Sequence, residues 1–239
     1  MIRLDDLCVN GYKIYQDDTA FRFGTDAVLL AWFAGLKKFA NAFDLCTGNG
    51  VIPILLSVHT CAKRIEGIDI DENAVKLAKK SREYNKLEDI LYFHTGDIKD
   101  IPTEKKLLQN YFDLVTANPP YMTKDSGAVC EGVKGKARTE LFCNTNDVMN
   151  AAKYLLKNGG RLSIINKPDR LTDTLYSMRE NGLEPKRLLF VCPRINSKPE
   201  LMLVEAIKGG KAGIDCMAPL IIYGDDGQYT DELKKIYGK

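Results

Sequence analysis

Phe43-Asp44-Leu45-Cys46-Thr47-Gly48-Asn49-Gly50 decides the fold: a short apolar strand runs into a glycine-bearing turn and then into the helix-like segment 51–58. Glycines at 48 and 50 let the backbone turn tightly and approach a ligand closely, and the helix start behind them presents unsatisfied N–H groups. Strand, turn and helix together form the opening unit of an α/β layer architecture. The third glycine of the dinucleotide fingerprint is missing, which argues against a nicotinamide or flavin cofactor.

The next two strand candidates also end in acids. Ile65-Glu66-Gly67-Ile68-Asp69-Ile70-Asp71 follows the turn and places Asp69 where a ribose diol would be held, about 20 residues on. Asp69 is preferred to Asp71, which opens the amphipathic run 72–85 and serves as its cap. The third strand, 90–95, ends in Gly96-Asp97-Ile98, with Asp97 placed to take an adenine amino group and Ile98 to cover the ring. Any one of these acids alone reads as a cap or turn residue. Their placement after three successive strands reads as one ligand-binding edge.

The chemistry is carried by Asn118-Pro119-Pro120-Tyr121, which follows the buried strand 112–117. Open α/β sheets bind ligands beyond the carboxyl ends of their strands. Two prolines remove two backbone donors and bias Asn118 away from helix, leaving a stiff turn whose carbonyls and amide oxygen accept hydrogen bonds. An exocyclic purine amine is a poor nucleophile because its lone pair is delocalised into the ring. Bonds from its N–H groups to the Asn118 side-chain oxygen and the Pro119 carbonyl localise that lone pair, while Tyr121 stacks on the ring. Nitrogen methylation is the chemistry that fits.

The remaining pattern extends the alternation. A small β element around 12–15 and a helix at 26–35 precede strand 43–46; helix 51–58, strand 64–69, helix 72–85, strand 90–95, a link through Ile101-Pro102 and strand 112–117 follow. Beyond a loop at 122–139 come helix 140–157, strand 161–165, helix 168–181 and a closing pair at 187–192 and 201–206. Two strands joined without a helix pair antiparallel. The expected fold is therefore an α/β, seven-stranded, mostly parallel sheet with an antiparallel terminal hairpin. In the tail, Pro219-Leu220-Ile221-Ile222-Tyr223 reads as an edge strand and Gly224-Asp225-Asp226-Gly227 as a turn.

With these motifs in place the chain resembles the class I S-adenosylmethionine-dependent methyltransferases of the Asn-Pro-Pro-Tyr, amino-methylating type. More narrowly, it is similar to the tRNA1(Val) (adenine-37 N6) methyltransferase family. The matching stretches are Phe21-Arg22-Phe23-Gly24-Thr25-Asp26-Ala27-Val28-Leu29-Leu30, 44–50, 118–121, Ala137-Arg138-Thr139-Glu140 and 198–211. The resemblance implies a Rossmann-like domain holding S-adenosyl-L-methionine through Thr25, Asp44, Gly48, Gly50, Asp69, Ile70, Asp97, Ile98 and Asn118, with Asn118, Pro119 and Tyr121 catalytic. It places Thr25 and Asp26 near the methionine end of the cofactor; locally the same two residues read as an N-cap pair for helix 27–35. Thr139 stands where the family is expected to carry histidine, so if that histidine touches substrate in relatives, the contact is absent in this chain.

Length and composition bound the alternatives. With 239 residues, one α/β domain is expected, with 1–40 as an N-terminal extension, 41–207 as the catalytic core and 208–239 as a tail. A restriction-type DNA methylase would need an additional target-reading module. The formal charge is +2, so any nucleic-acid surface must be a local patch. Two stretches qualify: Lys186, Arg187, Arg194 and Lys198 in and beside the last hairpin, and Lys124, Lys134, Lys136 and Arg138 in the loop, offset by Asp125 and Glu131. Seven cysteines without a Cys-x-x-Cys pair support neither a disulfide framework nor a zinc ribbon. Only His59 and His94 are present, outside any nucleophile–base arrangement, so hydrolytic or metal–histidine chemistry has little to build on.

The expectation is thus a cytoplasmic, metal-independent, monomeric enzyme that methylates adenine N6 in RNA, with tRNA as the partner and no membrane association. Two alternatives stand beside it. One is methylation of a protein glutamine amide, since release-factor methyltransferases share the Asn-Pro-Pro-Tyr turn but carry a separate helical N-terminal domain. The other is a binding protein that holds cofactor or RNA without turnover.

Overall fold

The computed structural model describes residues 1–18, 24–59, 61–104, 107–119 and 144–238. The chain opens with a hairpin, β1 (Ile2–Asp6) and β2 (Lys13–Asp17), where one short element was expected. Helix α1 (Thr25–Gly35) leads into β3 (Asn41–Leu45), α2 (Val51–Leu56), β4 (Arg64–Asp69), α3 (Glu72–Tyr84) and β5 (Leu91–Thr95). A 3-10 turn at Ile98–Asp100 and a short α4 (Ile101–Glu104) replace the expected irregular link before β6 (Phe112–Ala117).

Helix α5 (Thr145–Leu155) starts later than the expected 140. Asn144 takes the Asp147 amide at 3.0 Å and Asp147 takes the Asn144 amide at 2.9 Å, a reciprocal cap that sets the first turn. Strand β7 (Leu156–Asn166), a 3-10 turn at Pro168–Arg170, α6 (Leu171–Glu180), β8 (Leu183–Cys192) and β9 (Leu201–Lys208) follow. The tail adds β10 (Asp215–Cys216), β11 (Leu220–Ile221) and α7 (Asp231–Ile236).

Seven long strands form one sheet in the order β8-β9-β7-β6-β3-β4-β5, parallel except for β9, which runs against both β7 and β8. This is the expected mostly parallel sheet with its antiparallel hairpin. Both faces are covered, as parallel sheets require. Leu29, Phe33, Ile54 and Leu91 belong to one core cluster; Phe43, Leu45, Val115, Met149 and Leu155 belong to the other. The tail strands β10 and β11 both pair parallel with β8, at the edge that β9 leaves open.

The N-terminal hairpin is anchored to α3. The Lys13 amide donates to Asn85 Oδ1 at 2.9 Å, Asn85 Nδ2 returns a bond to the Lys13 carbonyl at 2.6 Å, and the Tyr15 amide donates to Ser81 Oγ at 2.9 Å. Asn49 Nδ2 donates to the Tyr15 carbonyl at 3.2 Å, so the hairpin also braces the glycine turn. Among the described residues, no helix is long and apolar enough to cross a membrane.

Candidate active site

Strands β6, β3, β4 and β5 lie side by side and parallel, so their carboxyl ends open onto one edge. Chain order reverses between β3 and β6, the position where doubly wound sheets form a ligand crevice. Asp44, Asp69, Asp97 and Asn118 come from these four neighbouring strands or from the turns that end them.

The glycine turn is shaped by two different constraints. Gly50 has φ +83° and caps α2, and a Cβ there would lie 2.8 Å from Phe93 Cζ and 2.9 Å from Ala78 Cβ. Gly48 has φ +55°, but a Cβ on it would meet nothing within 4 Å. Gly50 is therefore required by packing, whereas Gly48 opens onto empty space. Gly67 on β4 is held close beneath the turn, since a Cβ there would sit 2.7 Å from Thr47 Oγ1.

Asp69 accepts the Gly48 amide through Oδ2 at 2.7 Å and the Asp71 amide through Oδ1 at 2.9 Å. It thus ties the end of β4 to the glycine turn. Burial pushes its pKa up, against the hydrogen bonds from Asp71 and Gly48. Asp71 caps α3, accepting the Asn73 amide at 2.9 Å, as its place in the sequence suggested. Asp97 caps the 3-10 turn through the Lys99 amide at 2.9 Å and pairs with Lys99 Nζ at 3.2 Å. Ile98 is buried in the core at 4 % exposure, whereas Ile70 leaves 49 % of its surface in solvent. Of the two, Ile70 offers the accessible apolar surface.

Asp44 is fully buried. Thr116 Oγ1 donates to its Oδ1 at 2.6 Å, Thr47 acts on the same carboxyl as a second hydroxyl partner, and Asp44 Oδ2 and Thr47 Oγ1 are both buried. Loss of water raises the Asp44 carboxyl from its ordinary 3.8 to about 7, partly offset by the bonds from Thr116 and Thr47.

Asn118 Nδ2 donates to Asp26 Oδ2 at 3.0 Å. Asp26 lies in the first turn of α1, and the N-cap is Gly24, with no side-chain bond. The expectation of Thr25 and Asp26 as an N-cap pair is thus corrected: both sit inside the helix, where Asp26 can reach across to the catalytic turn. Thr25 Oγ1 accepts a bond from Tyr237 Oη at 3.2 Å. Tyr237 and the other tail residues were missed as neighbours of the site, for no local pattern ties them to it. Pro119 is the last described residue of the turn; Tyr121, the loop 122–139 and Thr139 lie outside the described residues.

The hairpin cations separate into two groups. Arg187 is internal: its guanidinium bonds Glu205 at 2.7 and 2.9 Å, donates to the Phe33 carbonyl at 3.2 Å and lies 4.4 Å over the Phe33 ring. Burial pushes Glu205 upward, but bonds from Arg187 and Lys37 hold it below its ordinary value. Lys186 Nζ donates to the carbonyls of Lys211 and Gly213, tying the tail to β8. The expected four-cation phosphate patch is therefore reduced to Arg194 and Lys198, both exposed in the loop after β8. His94 pairs with Glu66 at 2.5 Å and stacks with Phe43. Among the described residues no group of three or more His, Cys, Asp or Glu could hold a metal.

At this edge the open face of Gly48, the Asp69 carboxylate and the exposed Ile70 offer a close backbone approach, hydrogen-bond acceptors and an apolar wall, a set that would fit a nucleoside. A family model described as "Methyltransferase domain" matches residues 36–208. A tRNA1(Val) (adenine(37)-N6)-methyltransferase of Porphyromonas gingivalis is 30% identical over 233 residues, 94% of this chain and 90% of the relative. One from Flavobacterium johnsoniae is 32% identical over 158 residues, 64% of each chain. Among solved structures, a predicted O-methyltransferase from Agrobacterium tumefaciens superposes with TM-score 0.71 at 21% identity, covering 89% of this chain and 95% of that one. The geranyl diphosphate C-methyltransferase of Streptomyces coelicolor, solved with S-adenosyl-L-homocysteine, gives 0.52 at 14% identity, with 71% of each chain covered. At such identities these two likenesses concern the fold.

Proposed function

We propose a function for a chain that belongs to the methyltransferase-domain family, and within it to the tRNA1(Val) (adenine(37)-N6)-methyltransferases: methylation of an adenine N6 amino group in RNA, with adenine 37 of tRNA1(Val) as its substrate. The protein is an S-adenosylmethionine-dependent methyltransferase. Asp44, Gly48, Gly50, Asp69 and Ile70 would hold that cofactor, which when bound supplies an electrophilic methyl group.

The observation that carries the adenine reading is the Asn118–Asp26 bond. A carboxylate only accepts, so the Asn118 amide must turn its NH2 group towards Asp26 and its carbonyl oxygen the other way. That oxygen, with the Pro119 carbonyl beside it, then accepts both N–H groups of an exocyclic amine. Localising the amine lone pair is worth most in the transition state, where positive charge develops on nitrogen. Among the described residues no basic side chain is placed to take the proton, which leaves to the Asn118 region or to water after transfer. Tyr121 follows in sequence to stack on the purine. A base in a single-stranded loop is extruded into such a pocket more cheaply than one in a duplex.

We read the chain as a single catalytic domain acting as a monomer, with Arg194 and Lys198 near the RNA backbone. The test is radiolabelled methyl transfer to tRNA lacking the modification, followed by nucleoside analysis. Label in N6-methyladenosine of tRNA1(Val) is expected. Label in protein alone would overturn the RNA reading in favour of glutamine methylation.

A further inference from the structure

The C-terminal tail carries a row of tyrosines along the catalytic edge of the sheet. Tyr223 and Tyr229 face each other across an antiparallel bridge closed by the 224–227 turn, with ring centroids 5.4 Å apart. Tyr229 in turn stacks with Tyr237, at 6.1 Å and 9° between planes. Tyr223 and Tyr229 keep 37 % and 39 % of their surface in solvent, whereas Tyr237 is half-buried. Leu233 of α7, fully buried, holds the segment in the core.

Topology puts this row beside the chemistry. Strand β8 is antiparallel to β9, which is antiparallel to β7, which is parallel to β6, so β6 and β8 end at the same edge. Strand β11 runs parallel to β8, and the Tyr223 amide donates to the Pro193 carbonyl at 2.9 Å, at the start of the loop bearing Arg194 and Lys198. At the other end Tyr237 Oη bonds Thr25, next to the Asp26 that orients Asn118. Four strand spacings separate β11 from β6, about 19 Å. The three rings reach part of the way across, in centroid steps of 5.4 and 6.1 Å, and the Tyr237–Thr25 bond carries the link on to α1.

We propose that Tyr223 and Tyr229 form a stacking platform for unpaired nucleotides flanking the target adenine, an inference that rests on the RNA reading above. The tail supplies aromatic faces and little positive charge: Asp225, Asp226, Asp231 and Glu232 outnumber Lys234 and Lys235 in this stretch. Phosphates are thus repelled from the tail and drawn to Arg194 and Lys198, with the exposed Ile195 between them. Bases on tyrosines and backbone on the adjoining cations is the division of labour seen wherever single strands are bound without base readout. Every base has a π-face, so the platform aids affinity without restricting sequence.

The experiment compares wild type, Tyr229→Ala, Tyr229→Leu and Tyr229→Phe, with the same series at Tyr223. The readouts are binding of an unmodified anticodon stem-loop transcript across a salt series, and cofactor affinity as a check on folding. Loss of one stacked base should weaken RNA binding by about 5- to 150-fold. The slope of log affinity against log salt should stay unchanged, because no phosphate contact is lost. Phe should restore binding and Leu should not. Restoration by Leu as fully as by Phe would reduce the row to a packing element and overturn the proposal, as would wild-type affinity in both alanine variants. If the alanine variants do not fold, photocrosslinking of wild-type protein to transcripts bearing 5-iodouridine decides: adducts on Tyr223 or Tyr229 support the platform, and adducts confined elsewhere overturn it. A wild-type protein that binds no RNA would instead remove the functional reading itself.

Discussion

Asn118 and Asp26 are joined by a 3.0 Å hydrogen bond across 92 residues of chain. The bond ties helix α1 to the Asn-Pro-Pro-Tyr turn and, on the proposed function, selects which end of the Asn118 amide would face the substrate. Asn118→Ala should lower the transfer rate by about 10²–10³-fold, the cost of one lost transition-state partner, with cofactor affinity within a few-fold of wild type. Asp26→Ala leaves the amide present but no longer oriented, and about a tenfold loss in kcat is expected, corresponding to one charge-assisted bond. Single-turnover kinetics with calorimetric cofactor titration tests both. Near-normal turnover of Asn118→Ala would remove its assigned role.

Asp69 and Asp71 should separate cleanly. Asp69→Ala is expected to weaken S-adenosylmethionine binding at least about tenfold, through loss of a charged acceptor and of the bond that holds Gly48. Asp71→Ala should instead cost about 1 kcal/mol of stability as a lost helix cap. Calorimetry and urea unfolding on the two variants distinguish the roles; exchanged outcomes would reassign the ribose contact to Asp71.

The two glycines of the turn also predict different failures. Gly50→Ala places a methyl group within 3.0 Å of Phe93 and Ala78 at a positive φ, and should destabilise the fold by about 1–3 kcal/mol. Gly48→Ala meets no protein atom within 4 Å, so its methyl group should cost mainly cofactor affinity. Equal stability losses in both would contradict the view that Gly48 faces ligand space.

Asp44 gives the site a pH dependence with a definite sign. Its carboxyl rises from 3.8 to about 7 in the fold, so between those values the folded chain holds a proton that the unfolded chain has released. Stability contributed by this group therefore falls as pH increases through that window. Asp44→Asn should flatten the pH dependence of urea unfolding between pH 4.5 and 8. A cationic cofactor favours the ionised carboxylate, so wild-type affinity should strengthen as pH rises towards 7 and level off above it, with proton release on binding below 7. Parallel stability profiles for wild type and variant would show that Asp44 does not titrate in this range.

The surviving cations of the last hairpin should act on RNA binding alone. Charge reversal at Arg194 and Lys198 is expected to weaken tRNA binding and flatten its salt dependence, because fewer counterions are released. Activity should fall mainly at sub-saturating tRNA. Arg187→Ala should behave differently, costing roughly 3 kcal/mol of stability by breaking a buried ion pair and leaving the salt slope as it was. A flattened slope in the Arg187 variant would place that residue on the RNA surface after all.

The alternation from residue 43 to 117 was legible in the chain because the information there is local. Apolar strands, a glycine turn and an acid at each strand end follow one another within a few residues, and parallel pairing places those ends together. The candidate cofactor residues and the Asn-Pro-Pro-Tyr turn could accordingly be read before any coordinates. The fate of Arg187 could not: its partners are Glu205, 18 residues on, and Phe33, 154 residues back. A charged residue reads as solvent-facing until packing supplies a buried carboxylate and an aromatic face. The tail was equally opaque, since Tyr237 meets Thr25 across 212 residues. Local periodicity and turn chemistry determined the sheet and its ligand edge, whereas contacts between distant segments decided which charges reach solvent and what stands beside the catalytic turn.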